Sequence, residues 1–158
     1  MKVIVAGTRT ICDYNVVVEA ITKSQFVIDE LVSGNAPGID TQGEIFAKKN
    51  NIPCRLFPAD WEKLKQWAGP ARNHEMSLYA DALIAVWDGK SGGTHDMIKK
   101  MRKRRKPVFI HYVKAISNDS TKDSEHDGVN KVPQKNAVDD AFRFHFKVQN
   151  SNQSNNQS

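Results

Sequence analysis

"DALIAVWDGKSGGTHDMIKKM", Asp81 to Met101, passes from an apolar run through a cluster of small residues into a helical pattern. The first part, Asp81–Gly89, predicts a strand; its apolar run is uninterrupted, as in a strand covered on both faces of a parallel sheet. Met97, Ile98 and Met101 then recur at helical spacing and predict a helix over Thr94–Arg105, with Thr94 as its N-cap. The stretch is therefore a β-strand, a glycine-rich turn and a helix in immediate succession.

The same alternation extends in both directions. Lys2–Gly7 ("KVIVAG") predicts a buried strand closed by glycine. Asp13–Ser24 predicts a helix capped by Asp13, with Val16, Val17, Ala20 and Ile21 facing a sheet. A second strand begins near Glu30, and Gly38–Asn50 forms a helix with Ile39, Ile45 and Phe46 inward. Pro53–Pro58 is a third strand. Gly69–Ala80 starts a helix with Pro70 at the first helical position, where proline's missing N–H costs nothing. Lys106–Val113 is a fifth strand. Repeated βα units of this length imply an α/β fold of three layers, a central parallel sheet of about five strands with helices on both faces and right-handed crossovers.

A length of 158 residues suits one domain with a substantial core. The composition changes after Val113. The expected organisation is a domain over 1–114, a flexible linker over 115–136, a docking segment over 137–147 that regains apolar residues, and a disordered polar tail over 148–158. No apolar stretch approaches the roughly 18–20 residues that span a bilayer, so no membrane partner is expected. "MKVIVAGTRT" has the pattern of a strand, not of a leader. Cys12 and Cys54 make no CxxC or metal pattern, which fits two reduced thiols in a cytoplasmic protein. The net charge is +5. Much of the excess lies in "KKMRKRRKP", Lys99–Pro107, which on a helix covers the solvent face and suits the macrodipole, or else meets an anionic partner. No aromatic residue interleaves it, which disfavours a single-strand-binding surface.

Open parallel sheets bind ligands outside the carboxyl ends of their strands. Four such ends carry unusual loops: Gly7-Thr8-Arg9-Thr10; Ser33-Gly34-Asn35-Ala36-Pro37-Gly38-Ile39-Asp40; Phe57-Pro58-Ala59-Asp60-Trp61; and Trp87-Asp88-Gly89-Lys90-Ser91-Gly92-Gly93-Thr94. One loop of this kind is explained by tight turns alone. Four on one edge favour a ligand site. Gly92-Gly93-Thr94 at a helix start offers free N–H groups to a phosphate, and Gly34 to Gly38 makes a second cradle or a ribose wall. Arg9 and Arg72 can pair with phosphate, Arg72 from the first turn of its helix. Asp40 and Asp88 suit ribose hydroxyls or acid–base work. Trp61 or Trp87 can stack on a base or simply pack. The candidate ligand-binding set is thus Gly7, Thr8, Arg9, Ser33, Gly34, Ala36, Gly38, Asp40, Asp60, Trp61, Arg72, Asn73, Asp88, Gly89, Ser91, Gly92, Gly93 and Thr94. His74 and His95 lack the spacing of a metal pair, and no metal site is expected. There is no G-x-x-x-x-G-K-[ST], no G-x-G-x-x-G after the first strand and no G-x-S-x-G, which excludes P-loop, common dinucleotide-binding and α/β-hydrolase sites.

"VIVAGTRT", "LVSGNAPGID", "FPADW", "AGPARNHEM", "ADALIAVWDGKSGGT" and "KPVFI", in this order, resemble the small YspA/YpsA-related branch of the SLOG superfamily. That Rossmann-like superfamily also includes the LOG phosphoribohydrolases and the DNA-processing protein A fold. The resemblance covers Met1 to Val113. It implies a Rossmann-like domain holding a nucleotide or nucleotide-derived ligand, for sensing or sequestration, with no further cofactor. LOG enzymes carry P-G-G-x-G-T-x-x-E and an upstream helical arginine. Arg72 resembles that arginine, and Gly93-Thr94 its G-T. Gly89, Lys90 and Ser91 stand where P-G-G would be, and Met97 occupies the position of the catalytic glutamate, so the resemblance does not carry LOG-type hydrolysis. Whether the chain is an enzyme stays open on sequence, with glycosidic or phosphate-bond cleavage as the alternative to binding. A homo-oligomer stays open, and so does a nucleic-acid partner, which is the less favoured.

Overall fold

The computed structural model describes residues 1–114. The expected linker (115–136), docking segment (137–147) and polar tail (148–158) lie outside the described residues. In chain order the elements are β1 (Lys2–Gly7), α1 (Tyr14–Ser24), β2 (Glu30–Ser33), α2 (Ile39–Lys49), β3 (Cys54–Leu56), α3 (Trp61–Leu64) followed by a 3₁₀ turn (Lys65–Trp67), α4 (Ala68–Tyr79), β4 (Ala82–Trp87), α5 (Gly92–Lys103) and β5 (Val108–Tyr112).

The five strands form one parallel sheet in the order β3-β2-β1-β4-β5. The central pair is in register from Val3↔Ala82 to Gly7↔Val86. Alternation along the strands assigns two cores. Ile4, Ala6, Val32, Leu83 and Ala85 pack with Met76 and Ala80 from the α4 end and with Met97, Ile98 and Met101 of α5. The alternate set Val3, Val5, Leu31, Ile84 and Val86 is equally buried. A Cβ on Gly43 of α2 would lie 3.0 Å from Val5, so α2 presses directly on that second face. This is the three-layer α/β sheet that the alternating pattern predicts.

Asp13 caps α1 as expected, accepting from the Asn15 N–H at 2.9 Å. Four local expectations are corrected. Ile45 is 37% exposed, because the buried stripe of α2 runs through Ile39, Asp40, Gly43, Phe46 and Ala47 and leaves Ile45 off it. Pro70 is the third residue of α4, since the helix begins at Ala68; the third N–H has no intrahelical acceptor either, so proline is tolerated there. Thr94 is not the N-cap of α5. Ser91 holds that position, and Thr94 is buried in the first turn with its Oγ1 3.2 Å from the Ser91 Oγ. The third strand is cut to three residues between Pro53 and Pro58, followed by the short α3 that no apolar periodicity announces.

Candidate functional site

Strand order reverses between β1 and β4, and the loops leaving β1, β2 and β4 meet there. The first two are locked together. Gly38 has φ +83° and its absent Cβ would lie 2.5 Å from the Arg9 carbonyl oxygen and 2.6 Å from that of Thr8. Only glycine allows both that dihedral and that approach. Thr8 ties β1 to β4, its N–H donating to the Val86 carbonyl at 3.0 Å and its Oγ1 accepting from the Asp88 N–H at 3.2 Å.

At the centre stands Arg72. It is 9% exposed, although guanidinium groups seldom enter a protein interior unpaired. Its Nε donates to Asn73 Oδ1 at 3.0 Å and its Nη1 to the Gly34 carbonyl. No hydrogen bond from Nη2 joins it to another described residue. Asn73 is also buried, and its amide donates to the Gly93 carbonyl at 3.1 Å and to Asp96 Oδ2 at 2.9 Å. Asp96 in turn pairs with Lys100. A chain of hydrogen bonds thus fixes Arg72 between the β2 loop and the first turn of α5.

Asp40, on the first turn of α2, is 4% exposed. Burial pushes its carboxyl up to about 6, against the pull of the Arg72 charge and of the Ala36 and Gly7 amides. Burial also lowers the Arg72 guanidinium; Asp40 opposes that and the nearby Arg9 cation adds to it. Arg9 itself is exposed and lies over the Trp61 ring, 5.7 Å from its centroid.

Two adjoining cavities open here. One of about 100 Å³ is bounded by Gly7, Arg9, Ala36, Asp40, Arg72, Asn73, Ser91, Gly93 and Thr94, with Ala6, Met76 and Met97 as its apolar floor. The other, of about 230 Å³, shares Arg9, Ala36 and Arg72 and adds Gly34, Asn35, Pro37, Pro58, Ala59 and Trp61. Together they reach the lower end of the range for small-molecule sites, about 300 Å³. Nothing lies within 4 Å of where a Cβ would stand on Gly92 or Gly93, so the N-terminal turn of α5 faces open space.

Eleven sequence candidates therefore line the cavities: Gly7, Arg9, Gly34, Ala36, Asp40, Trp61, Arg72, Asn73, Ser91, Gly93 and Thr94. The rest hold the frame. Ser33 is fully buried, donating to Glu44 at 2.6 Å and accepting from the Asn35 N–H at 3.0 Å. Asp60 caps α3 through the Lys63 N–H at 3.1 Å. Asp88 Oδ1 accepts the N–H groups of Lys90 and Ser91, both at 2.8 Å, which closes the turn through Gly89 and holds the carboxyl below its ordinary range. Thr8 and Gly38 make the loop junction, and Gly92 opens α5. Trp87 is packed, its ring stacked on His95 at 5.6 Å and its Nε1 donating to the Ser91 carbonyl at 3.0 Å. Sequence reasoning left Asn35, Pro37, Pro58 and Ala59 as loop members outside the candidate set, and missed Ala6, Met76 and Met97 on the lining and Asp96 behind Asn73. The Asp96–Lys100 spacing of four on a helix was the available sign of that last link. Among the described residues no group of His, Cys, Asp and Glu could hold a metal ion.

A doubly wound parallel sheet with its glycine loops gathered at the switch point defines a Rossmann-like α/β protein. Residues 1–64 match the YAcAr model, described as the YspA, cpYpsA-related SLOG family. The fold is similar to an X-ray structure of DNA processing protein A (DprA) from Streptococcus pneumoniae, with TM-score 0.56 and 18% identity over 80% of this chain. The match spans 56% of the length of that structure. No curated protein matches the chain. Among the described residues no helix is long and apolar enough to cross a membrane.

Proposed function

We propose that the protein binds a nucleotide or nucleotide-derived small molecule at the carboxyl ends of β1, β2 and β4, and that it grips this ligand without cleaving it. The observation that carries the reading is Arg72, a buried guanidinium immobilised by Gly34 and Asn73 beside the open N-terminus of α5. A preset cation next to free helix N–H groups is an anion site of phosphate character. The phosphate lies against Gly92, Gly93 and Thr94, within reach of Arg72 and Arg9. The base lies in the larger cavity against Trp61, whose ring is half-exposed. The match of residues 1–64 to the SLOG family model and the likeness in fold to DNA processing protein A support a nucleotide- or DNA-related role. Cys12 and Cys54 are exposed and free, which suits a reducing cytoplasmic setting.

The lining supports restriction to binding. Met97 forms part of its floor, 1% exposed, and a thioether neither transfers a proton nor stabilises charge. Asp40 is the one carboxylate among the lining residues, and it supports the competing reading, cleavage of an N-glycosidic bond with Asp40 as proton donor. Thermal-shift titration with nucleoside mono- and diphosphates, NAD and ADP-ribose tests the site. Stabilisation lost in both Arg72→Ala and Gly93→Val is expected, and a shift retained by both removes the site. Chromatography of the same mixtures separates the readings: release of free base that Asp40→Asn abolishes replaces binding by catalysis.

A further inference from the structure

We infer that the groove between α4 and the C-terminal half of α5 docks the phosphodiester backbone of a double-stranded nucleic acid, independently of the small-molecule pocket. Its described lining includes His74, Asp96, Lys99, Arg102, Lys103 and Arg104.

The cations here divide by what they already do. Lys106 donates to the carbonyls of Ser77 at 2.7 Å, Leu78 at 3.2 Å and Ala80 at 2.6 Å, which closes the C-terminus of α4. Arg104 Nε donates to the Ser77 Oγ at 2.9 Å. Lys100 is paired with Asp96. Lys99, Arg102 and Lys103 are exposed, and their side chains have no hydrogen bond or ion pair with any described residue. They project from the side of α5 that its buried stripe (Thr94, Met97, Ile98 and Met101) leaves outward. Three unpaired like charges at i, i+3 and i+4 repel one another. The helix dipole accounts for a cation in the last turn but does not reach Lys99.

The chemistry selects the partner. Lys99 and Lys103 are separated by about 6 Å of helix rise. One nucleic-acid strand presents a charge every 3.4 Å or so, hence a cluster about two steps long matches three successive phosphates. A membrane surface is disfavoured because the apolar face of α5 is turned into the sheet, leaving nothing to insert. An acidic protein is disfavoured because no aliphatic side chain, Phe, Tyr or Trp lines the groove among the described residues, and protein interfaces are anchored by such groups. The same lack of stacking rings separates a duplex from a single strand.

Fluorescence anisotropy of the full chain with a labelled 20-base-pair duplex tests this. The three free cations should make affinity fall roughly 40-fold between 50 and 200 mM salt, at about −0.9 per phosphate neutralised. The triple reversal Lys99→Glu, Arg102→Glu, Lys103→Glu should abolish binding, and the milder set Lys99→Gln, Arg102→Gln, Lys103→Gln should weaken it with unchanged melting temperature. Gly93→Val should leave duplex affinity intact whatever becomes of nucleotide binding. The proposal is overturned by duplex affinity that survives the triple reversal, by a salt-independent signal, by loss in Gly93→Val, or by binding only to phosphatidylserine vesicles.

Discussion

Arg72 and Asp40 converge on Gly34 from opposite sides. A Cβ on that glycine would stand 2.8 Å from Asp40 Oδ2 and from the Arg72 Cζ, and closer still to Arg72 Nη1. The missing side chain is therefore the space in which the two charged groups face one another. Gly34→Ala should push them apart at a cost of about 1–3 kcal/mol, the range for overpacking a filled interior. Urea unfolding checks this, and a stability equal to the parent's would mean that the pair relaxes freely.

Asn73 supports Arg72 and α5 together, so its loss should be felt at both. Asn73→Ala leaves the Arg72 Nε and the Gly93 carbonyl without their partner, a penalty of about 1–3 kcal/mol. Asn73→Asp keeps the acceptor for Arg72 but loses the donor to Asp96 and sets two carboxylates side by side. Its deficit should therefore exceed that of Asn73→Ala at pH 7 and shrink on acidification. A pair of denaturation series at pH 7 and pH 5 distinguishes the two patterns.

Asp40 makes stability depend on pH in an unusual direction. Its carboxyl is raised in the folded protein from 3.8 to about 6, so folding favours the protonated form. Below pH 4 both states are protonated and the group contributes nothing. Between pH 4 and pH 6 the unfolded chain ionises first, and stability declines. Above pH 6 the full penalty applies, on the order of 3 kcal/mol. Asp40→Asn should thus gain stability over the parent as pH rises from 4 to 7. Parallel pH-stability curves for the two proteins would show that burial does not govern this group.

Trp61 is half-exposed and carries little of the fold, so Trp61→Ala should leave the melting temperature unchanged. Affinity for a base-bearing nucleotide should fall about tenfold or more, in line with the 1–3 kcal/mol or so that one base gains by stacking. Affinity for ribose 5-phosphate, which has no base, should not change. Calorimetric titration of both ligands measures the difference.

The strands and the larger helices were legible because they bury contiguous or periodic apolar residues. Ala82–Trp87 and the Met97, Ile98, Met101 stripe announce themselves without any knowledge of the fold. The segment α3 was not legible: none of its residues is buried, and its sole local mark is Asp60, which sequence reasoning assigned to a ligand. Asp88 was ambiguous for the same reason. A carboxylate after a strand closes its own turn or faces a ribose with the same residues around it, and only the Lys90 and Ser91 amides at 2.8 Å decide. Arg72 could be placed near the site from its helix position, whereas its support by Asn73 and Asp96 depends on how α4 meets α5, which no single stretch of sequence encodes.

Gly38, pressed against the carbonyls of Thr8 and Arg9, and Gly34, enclosed by Arg72 and Asp40, leave the base of the cleft no room for a larger side chain. Pro58 and Trp61 around its mouth are exposed and are not enclosed in this way. Diversification of this site toward new ligands must then proceed from the rim inward. Divergent copies of the domain should keep the same anion seat and differ in what they place above it.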